Sequence, residues 1–583
     1  MSAFSDFSLR RARPCRPTER IQTLGHLTGE LADAGSIHPL FLMRAAAGAA
    51  VLLALALFGP AGASGGTSDG GTWTGWGDPA AQGKIIDSII IDNRNINDYS
   101  GSGLNGFLSS TANRLHYVTR ASVIRRELLF AVGEPYSLEA AKETARNLRT
   151  RLAFNDARIE TRPTRPGHIA VRVVTRDQWS LLGSFRIERE GNETDYEMGL
   201  EERNFLGYNQ FLAFDYFFQE NDEDYLRVRF ANTRFWGKPL QISAVYDDDP
   251  RNEIRSVSIG RPFYDLRQHF SLMFGVADNG GRSDVYRDTL RIAEWQRQVD
   301  VASTQMYYRW GGYHQKAELG LDYDYVYQTT SDRVLLAPAY ASDVVFPDDS
   351  VYHRIQLSAG LMDRDFIVVN RINGFYYPED ITVEQSVRLS YARAFAPGFS
   401  GYLYDGFTLD GLFVRRFGSS IVRLGYIRSF WFKGDRNIRQ TSSFVAAAYN
   451  THFPFVTGVF RGLYRSDWRD DPAAGVVLGG KSGLRGFDTY FSTGDRLLLF
   501  NFAGRFYPGV EILSVLIGGV VFLDLGRTWD VGEPFRFRDF HRSAGLGLRV
   551  SMERYTKTEL IRIDFAYGQD NRWQLAFGTG QYF

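Results

Sequence analysis

The stretch that decides the fold is Gly479-Gly480-Lys481-Ser482-Gly483-Leu484-Arg485-Gly486-Phe487, followed by five aromatic-rich alternating segments that run to Phe583. Leu484, Arg485 and Phe487 set a bulky apolar residue, a guanidinium and an aromatic ring among glycines that permit close backbone approach. Such a loop is built to dock. In Ser514 to Leu525, Val515, Ile517, Val521 and Leu523 share one face and Asp524 lies on the other. In Ser543 to Ser551, Ala544, Leu546, Leu548 and Val550 face one way, with Arg549 opposite. In Leu560 to Tyr567, Ile561, Ile563 and Phe565 alternate with Arg562 and Asp564. An Arg or Lys facing acyl chains at mid-bilayer costs about 2–4 kcal/mol, so the charged face reads as the lumen of a membrane barrel. The last residues, Trp573 to Phe583, alternate too and stop on an aromatic, as a closing strand does.

Composition agrees. Aromatics reach 15% and glycines number 58, more rings than a water-soluble enzyme needs, whereas a membrane barrel places them in girdles at both interfaces. A mean hydropathy of −0.26 argues against a bundle of membrane helices. Lys plus Arg and Asp plus Glu are both 67, so no global field favours nucleic acid. The single cysteine, Cys15, lies in the N-terminal leader, which excludes disulfides and thiolate metal sites from the body. No Gly-x-Ser-x-Gly elbow, His-Glu-x-x-His pair or P-loop occurs, and the nine histidines are scattered. The chain therefore reads as non-enzymatic, with no cofactor and no metal. The Asp-rich Tyr246 to Pro250 reads as a solvated turn.

The one long apolar run begins at Met43. Arg44 supplies a positive flank, Ala45 to Phe58 an apolar core, Gly59-Pro60 a break, and Ala61-Gly62-Ala63 a cleavage site. The core is shorter than the roughly 20 residues that span a bilayer, so 1–63 reads as a leader and secretory signal peptide, with Met43 as an alternative start. Residues 64–83 are a flexible linker opening on a Gly/Ser/Thr-rich run. Ile85 to Ile91 is a β-branched strand, Val123 to Phe130 a short helix, and Ser137 caps a helix whose Leu138, Ala141, Ala145, Leu148 and Leu152 share a face. Strands follow at Ala157 to Thr161 and His168 to Val174. The 94–120 insert has no assigned role.

From Trp179 onward the chain becomes alternating segments of about ten residues between Asp/Gly/Asn/Arg-rich turns, a spacing that accommodates about 16 transmembrane strands. A tally that includes Met306 to Trp310 and Glu318 to Tyr327 runs nearer 20. The glycine-rich Leu484-Arg485-Gly486-Phe487 loop, the Phe522-Leu523-Asp524-Leu525-Gly526 segment and the closing strands together resemble the BamA/TamA superfamily of outer-membrane assembly and translocation proteins. The β-α-α-β-β order of 84–176, with Gly133 and Tyr136 in a Gly-x-x-Tyr turn between its helices, resembles a single POTRA module. Asn204-Phe205-Leu206-Gly207 resembles the family's turn after its second barrel strand.

The resemblance implies an all-β transmembrane barrel of 16 antiparallel strands over 177–583, with an upper count of 20, and an α+β POTRA domain in the periplasm. It implies that loop 475–494 folds into the lumen, where Arg485 meets Asp524, and that Phe583 ends the last strand, Arg572 to Phe583. A weak seam between that strand and the first, Leu181 to Glu190, would template client strands. Many relatives carry a second acid where this chain has Ala503, which leaves a second contact to Arg485 in doubt. The implied partners are unfolded outer-membrane or secreted polypeptides, the outer-membrane bilayer, and periplasmic chaperones or accessory lipoproteins. A passive diffusion porin and a dedicated secretion pore are the competing readings.

Overall fold

The computed structural model describes residue 73 and residues 78–95, 117–151, 154–190, 193–219, 223–287, 290–469, 475–512, 515–551, 560–569 and 573–583. The leader, the signal peptide, most of the linker and most of the 94–120 insert lie outside the described residues.

The N-terminal unit is built from β1 (Ile85–Arg94), α1 (Ala121–Arg126), α2 (Leu138–Arg151), β2 (Phe154–Pro163) and β3 (His168–Asp177). β3 is central, parallel to β1 and antiparallel to β2. The 3- to 4-residue stripe Ala141, Ala145 and Leu148 lays α2 on Ile86, Ile159 and Val171 of the sheet. Ser137 Oγ accepts from the Ala140 N–H at 3.3 Å, capping α2. Gly133 takes φ 87°, which lets its N–H reach the Ile86 carbonyl at 2.8 Å. Tyr136 is buried, with its ring centroid 6.4 Å from that of Phe130.

Beyond Ser180 the chain is one closed antiparallel barrel of 20 strands, with Trp573–Thr579 bonded beside Leu181–Glu190. Twenty is the upper count of the sequence reading, four strands above its central figure of 16. Met306 to Trp310 and Glu318 to Tyr327 lie inside the strands Leu290–Gly311 and Gln315–Leu335. Their alternation is a strand signal that counts towards 20. Outward faces carry exposed Leu357, Leu361, Leu389, Leu546 and Phe565. An apolar band of that extent belongs against lipid rather than water. Inward faces bury Asp322, Glu384, Asp524, Arg549 and Asp564. Wall height is uneven: the first six strands have 7 to 10 residues, and strands seven to ten have 18 to 22. Tyr246 to Pro250 is not a solvated turn, since Asp247 and Asp249 are buried and Asp247 accepts from Arg227 Nε at 2.7 Å.

The N-terminal unit docks on the turns at one mouth of the barrel. Arg234 makes a bidentate pair with Glu127 at 2.5 and 2.8 Å. Asn204, buried in its turn, donates to the Tyr117 carbonyl and Thr119 Oγ1, both at 2.9 Å. Tyr313 Oη donates to Glu143, and Asn147 Nδ2 donates to the Tyr264 carbonyl at 3.3 Å.

Candidate functional site: the docked lumen loop

The site is loop 475–494, which leaves the wall after the strand Val456–Arg469 and returns at Arg496–Ile512. Val476–Leu478 pairs with Ser492–Gly494 to make a short neck. Below the neck the chain turns through Gly483 (φ 119°) and Gly486 (φ 84°). Leu484 and Phe487 then pack with Leu463, Leu497 and Leu499. Leu497 and Leu499 have the opposite parity to the outward Phe502 and Phe506, so the loop lies inside the barrel. A Cβ on Gly486 would sit 3.2 Å from the Gly568 nitrogen and 3.3 Å from Ala566 Cβ. Only glycine suits both that φ and that approach.

Arg485 is 2% exposed. Its Nε and Nη2 donate to Asp524 at 2.8 and 2.9 Å, a bidentate fork, and Nη1 reaches Asp564 at 3.5 Å. Its guanidinium carbon lies 3.4 Å from the Phe522 ring centroid and 4.4 Å from that of Tyr582. Asn501 Nδ2 donates both to Asp524 at 2.8 Å and to the Gly483 carbonyl at 2.7 Å. Asp564 accepts from Arg549 at 2.6 and 3.3 Å, and Arg549 Nε donates to Gln581 at 3.1 Å. Phe487 sits 4.5 Å from Phe491 and 5.9 Å from His541, centroid to centroid.

The structure thus brings Leu484, Arg485, Gly486, Phe487 and Asp524 together; Gly133 and Tyr136 lie apart, in the N-terminal unit. Asn501, Asp564 and Arg549 were not assigned from sequence. The inward parity of Asp564 and Arg549 was readable, but that two strands so far along the chain from Arg485 meet it was not. The second acid is therefore Asp564, while Ala503 packs in an apolar cluster with Val459, Val520 and Phe522. Phe583 needs a correction as well. The last strand stops at Thr579, and Gly580 at φ 73° turns the chain into the lumen. Phe583 joins the Ala503 cluster, and its main-chain oxygen accepts from Arg505 Nη2 at 2.6 Å. Among the described residues no group of three or more His, Cys, Asp or Glu is placed to hold a metal ion. The arrangement can hold the loop on the wall: Arg485 and Arg549 pair with Asp524 and Asp564, Arg562 lies 4.0 Å from Asp564, and rings and leucines surround them.

No protein-family model matches the sequence, and no curated protein matches it in sequence. Among solved structures the fold is similar to BamA from Haemophilus ducreyi lacking POTRA domains 1–3, at 12% identity and a TM-score of 0.39, covering 85% of this chain and 84% of that one. It is similar to CdiB from Acinetobacter baumannii at 12% identity and a TM-score of 0.42, covering 86% and 74% of the two chains. CdiB from Escherichia coli gives 12% identity and 0.42 over 94% and 99%.

Proposed function

We propose that this chain is an outer-membrane barrel that inserts β-barrel polypeptides into the membrane or moves polypeptides across it. Its N-terminal unit acts in the periplasm as a POTRA-type receiver. The observation that carries the reading is the loop clamped on the inner wall by Arg485, Asp524 and Asp564, beside the strands that close the barrel. A loop so placed stiffens the closing strands while leaving the wall's backbone free to exchange partners at the seam. No bond-making chemistry is needed, because open strand edges in lipid are costly and a client hairpin relieves that cost by pairing.

The test is reconstitution in liposomes with an unfolded outer-membrane client of eight strands. The protein should raise the yield of heat-modifiable, folded client several-fold over empty liposomes, and Arg485→Ala should lose most of that gain. Free flux of small solutes with no effect on any of several clients or secreted polypeptides would establish a passive porin instead.

A further inference from the structure

The strand pair Ser350–Val369 and Glu379–Phe395 outruns its neighbours at the mouth where the N-terminal unit docks. Strand Gln315–Leu335 pairs with it only as far as Asp363, and strand Tyr402–Phe417 only as far as Gln385. Within the pair the ladder continues to Val369 opposite Glu379. Asp365 to Glu384 is therefore a hairpin that has left the wall.

The hairpin folds into the bore. Ile367, Val369 and Ile372 pack against Val414, Ile421 and Tyr449. Those three lie opposite in parity to the exposed Leu409, Leu424 and Phe444, so they line the inner wall. At the tip, Phe375 is 1% exposed and packs against Tyr507, ring centroids 5.0 Å apart, and Leu560. An arm of about ten residues reaches about 33 Å at about 3.3 Å each. Arg371 Nη1 donates to the Phe453 carbonyl at 2.9 Å and Tyr376 Oη to the Tyr507 carbonyl at 3.0 Å, so the hairpin runs along the inner face of this mouth from Tyr402–Phe417 to Arg496–Ile512 and narrows the opening. The tip is pinned from within. Glu379 accepts from the N–H groups of Ile372 at 3.0 Å and Asn373 at 3.0 Å, and from Asn373 Nδ2 at 2.9 Å. Arg505 donates to the Ile372 carbonyl at 2.6 Å, and Thr457 Oγ1 to the Arg371 carbonyl at 2.9 Å.

The next residue faces the other way. Asp380 receives a bidentate pair from Arg149 of α2, at 3.0 and 2.7 Å, with both side chains almost fully buried. One turn earlier on α2, the Arg146 guanidinium carbon lies 3.5 Å from the Phe366 ring centroid. The hairpin is held between α2 on one side and the inner wall on the other. We propose that Asp365 to Glu384 is a plug, kept in the bore by Arg149 and Arg146 of the N-terminal unit, so that displacing this unit frees the plug and opens the barrel. The plug acts on whatever passes through the bore, so the inference stands apart from the polypeptide-handling reading. Gripping one face of the hairpin while the wall grips the other makes the closed state depend on both contacts.

The experiment uses the full chain in planar lipid bilayers, with barrel folding checked for each variant by gel mobility of unboiled protein. Arg149→Ala and the gentler Asp380→Asn should each raise the time spent in conducting states at least tenfold. The exchange Arg149→Asp with Asp380→Arg should return it towards that of the unaltered protein. In parallel, Ile372→Cys in a Cys15→Ser background reports the plug itself. Its labelling by a bulky, membrane-impermeant maleimide should rise at least tenfold when Arg149→Ala is added. Unchanged conductance in folded Arg149→Ala and Asp380→Asn overturns the proposal. So does raised conductance with unchanged labelling at position 372, because the bore would then open without the hairpin moving.

Discussion

Replacing Arg485 by alanine strips Asp524 of both charged hydrogen bonds and leaves it, fully buried, with Asn501 and the backbone N–H of residue 485 at 3.4 Å. Breaking a buried ion pair by removing one partner costs about 3–5 kcal/mol. The loop keeps its apolar anchors, since Leu484 and Phe487 stay buried at about 1.5–3 kcal/mol each. The expected result is a loop that still docks but opens far more often. Hydrogen exchange reads this directly: the amide of Leu484, bonded to the Gly479 carbonyl at 3.0 Å, is the reporter. At about 1.36 kcal/mol per decade, its exchange should accelerate about 150- to 5,000-fold. Asp524→Ala should be milder, because Arg485 retains Asp564 at 3.5 Å and its two flanking rings. The double variant should lie within about 1 kcal/mol of Arg485→Ala, a coupling inside the usual 0.5–3 kcal/mol for contacting residues. Two single losses that simply add, or an unaltered Leu484 exchange rate in Arg485→Ala, would refute the clamp.

Gly486→Ala places a Cβ at φ 84° against Ala566 and Gly568 and should open the same loop by about 1–3 kcal/mol, read at the same amide; a silent variant contradicts the close approach. Burial pushes the Tyr136 hydroxyl up to about 12, and that oxygen has no hydrogen-bond partner among the described residues. Tyr136→Phe should therefore change the N-terminal unit's resistance to proteolysis in urea by less than about 0.5 kcal/mol, or raise it, whereas Tyr136→Ala should cost about 3–5 kcal/mol. A loss above 1 kcal/mol in Tyr136→Phe would mean that the hydroxyl is satisfied.

Alternation made the barrel legible, because a period of two shows through any strand with one face in lipid. The same signal, through Met306 to Trp310 and Glu318 to Tyr327, carries the upper count of 20, whereas the family resemblance alone favours 16. The bulk of Arg485 among glycines points to a docking loop, the family resemblance supplies Asp524 as its lumen partner, and these two residues are in contact. Asp564 stayed hidden because lumen partners are set by the curvature of the closed wall and leave no trace in local spacing. Phe583 falls outside the last strand although the alternation continues past Gly580, where the backbone leaves the sheet. The grip of Arg149 on Asp380 had no signature at all. Each reads as an ordinary surface charge until a hairpin steps off the wall and places them face to face.

The uneven height of the wall has a consequence for the lipid around it. A strand crossing a bilayer at ordinary tilt needs about 9–11 residues, yet Tyr225–Asn232 has 8 and Gln241–Asp247 has 7. On that flank the hydrocarbon layer must pinch inward to meet the protein, at fractions of a kcal/mol for each ångström of mismatch. Strands seven to ten, at 18 to 22 residues, rise well past the same layer. The surrounding membrane is therefore bent as well as pierced, thin beside Tyr225–Asn232 and Gln241–Asp247 and full-depth beside the tall strands. Acyl chains in the thinned arc are shorter in projection and less ordered, so the work of moving a polar segment through them is lowest on that side.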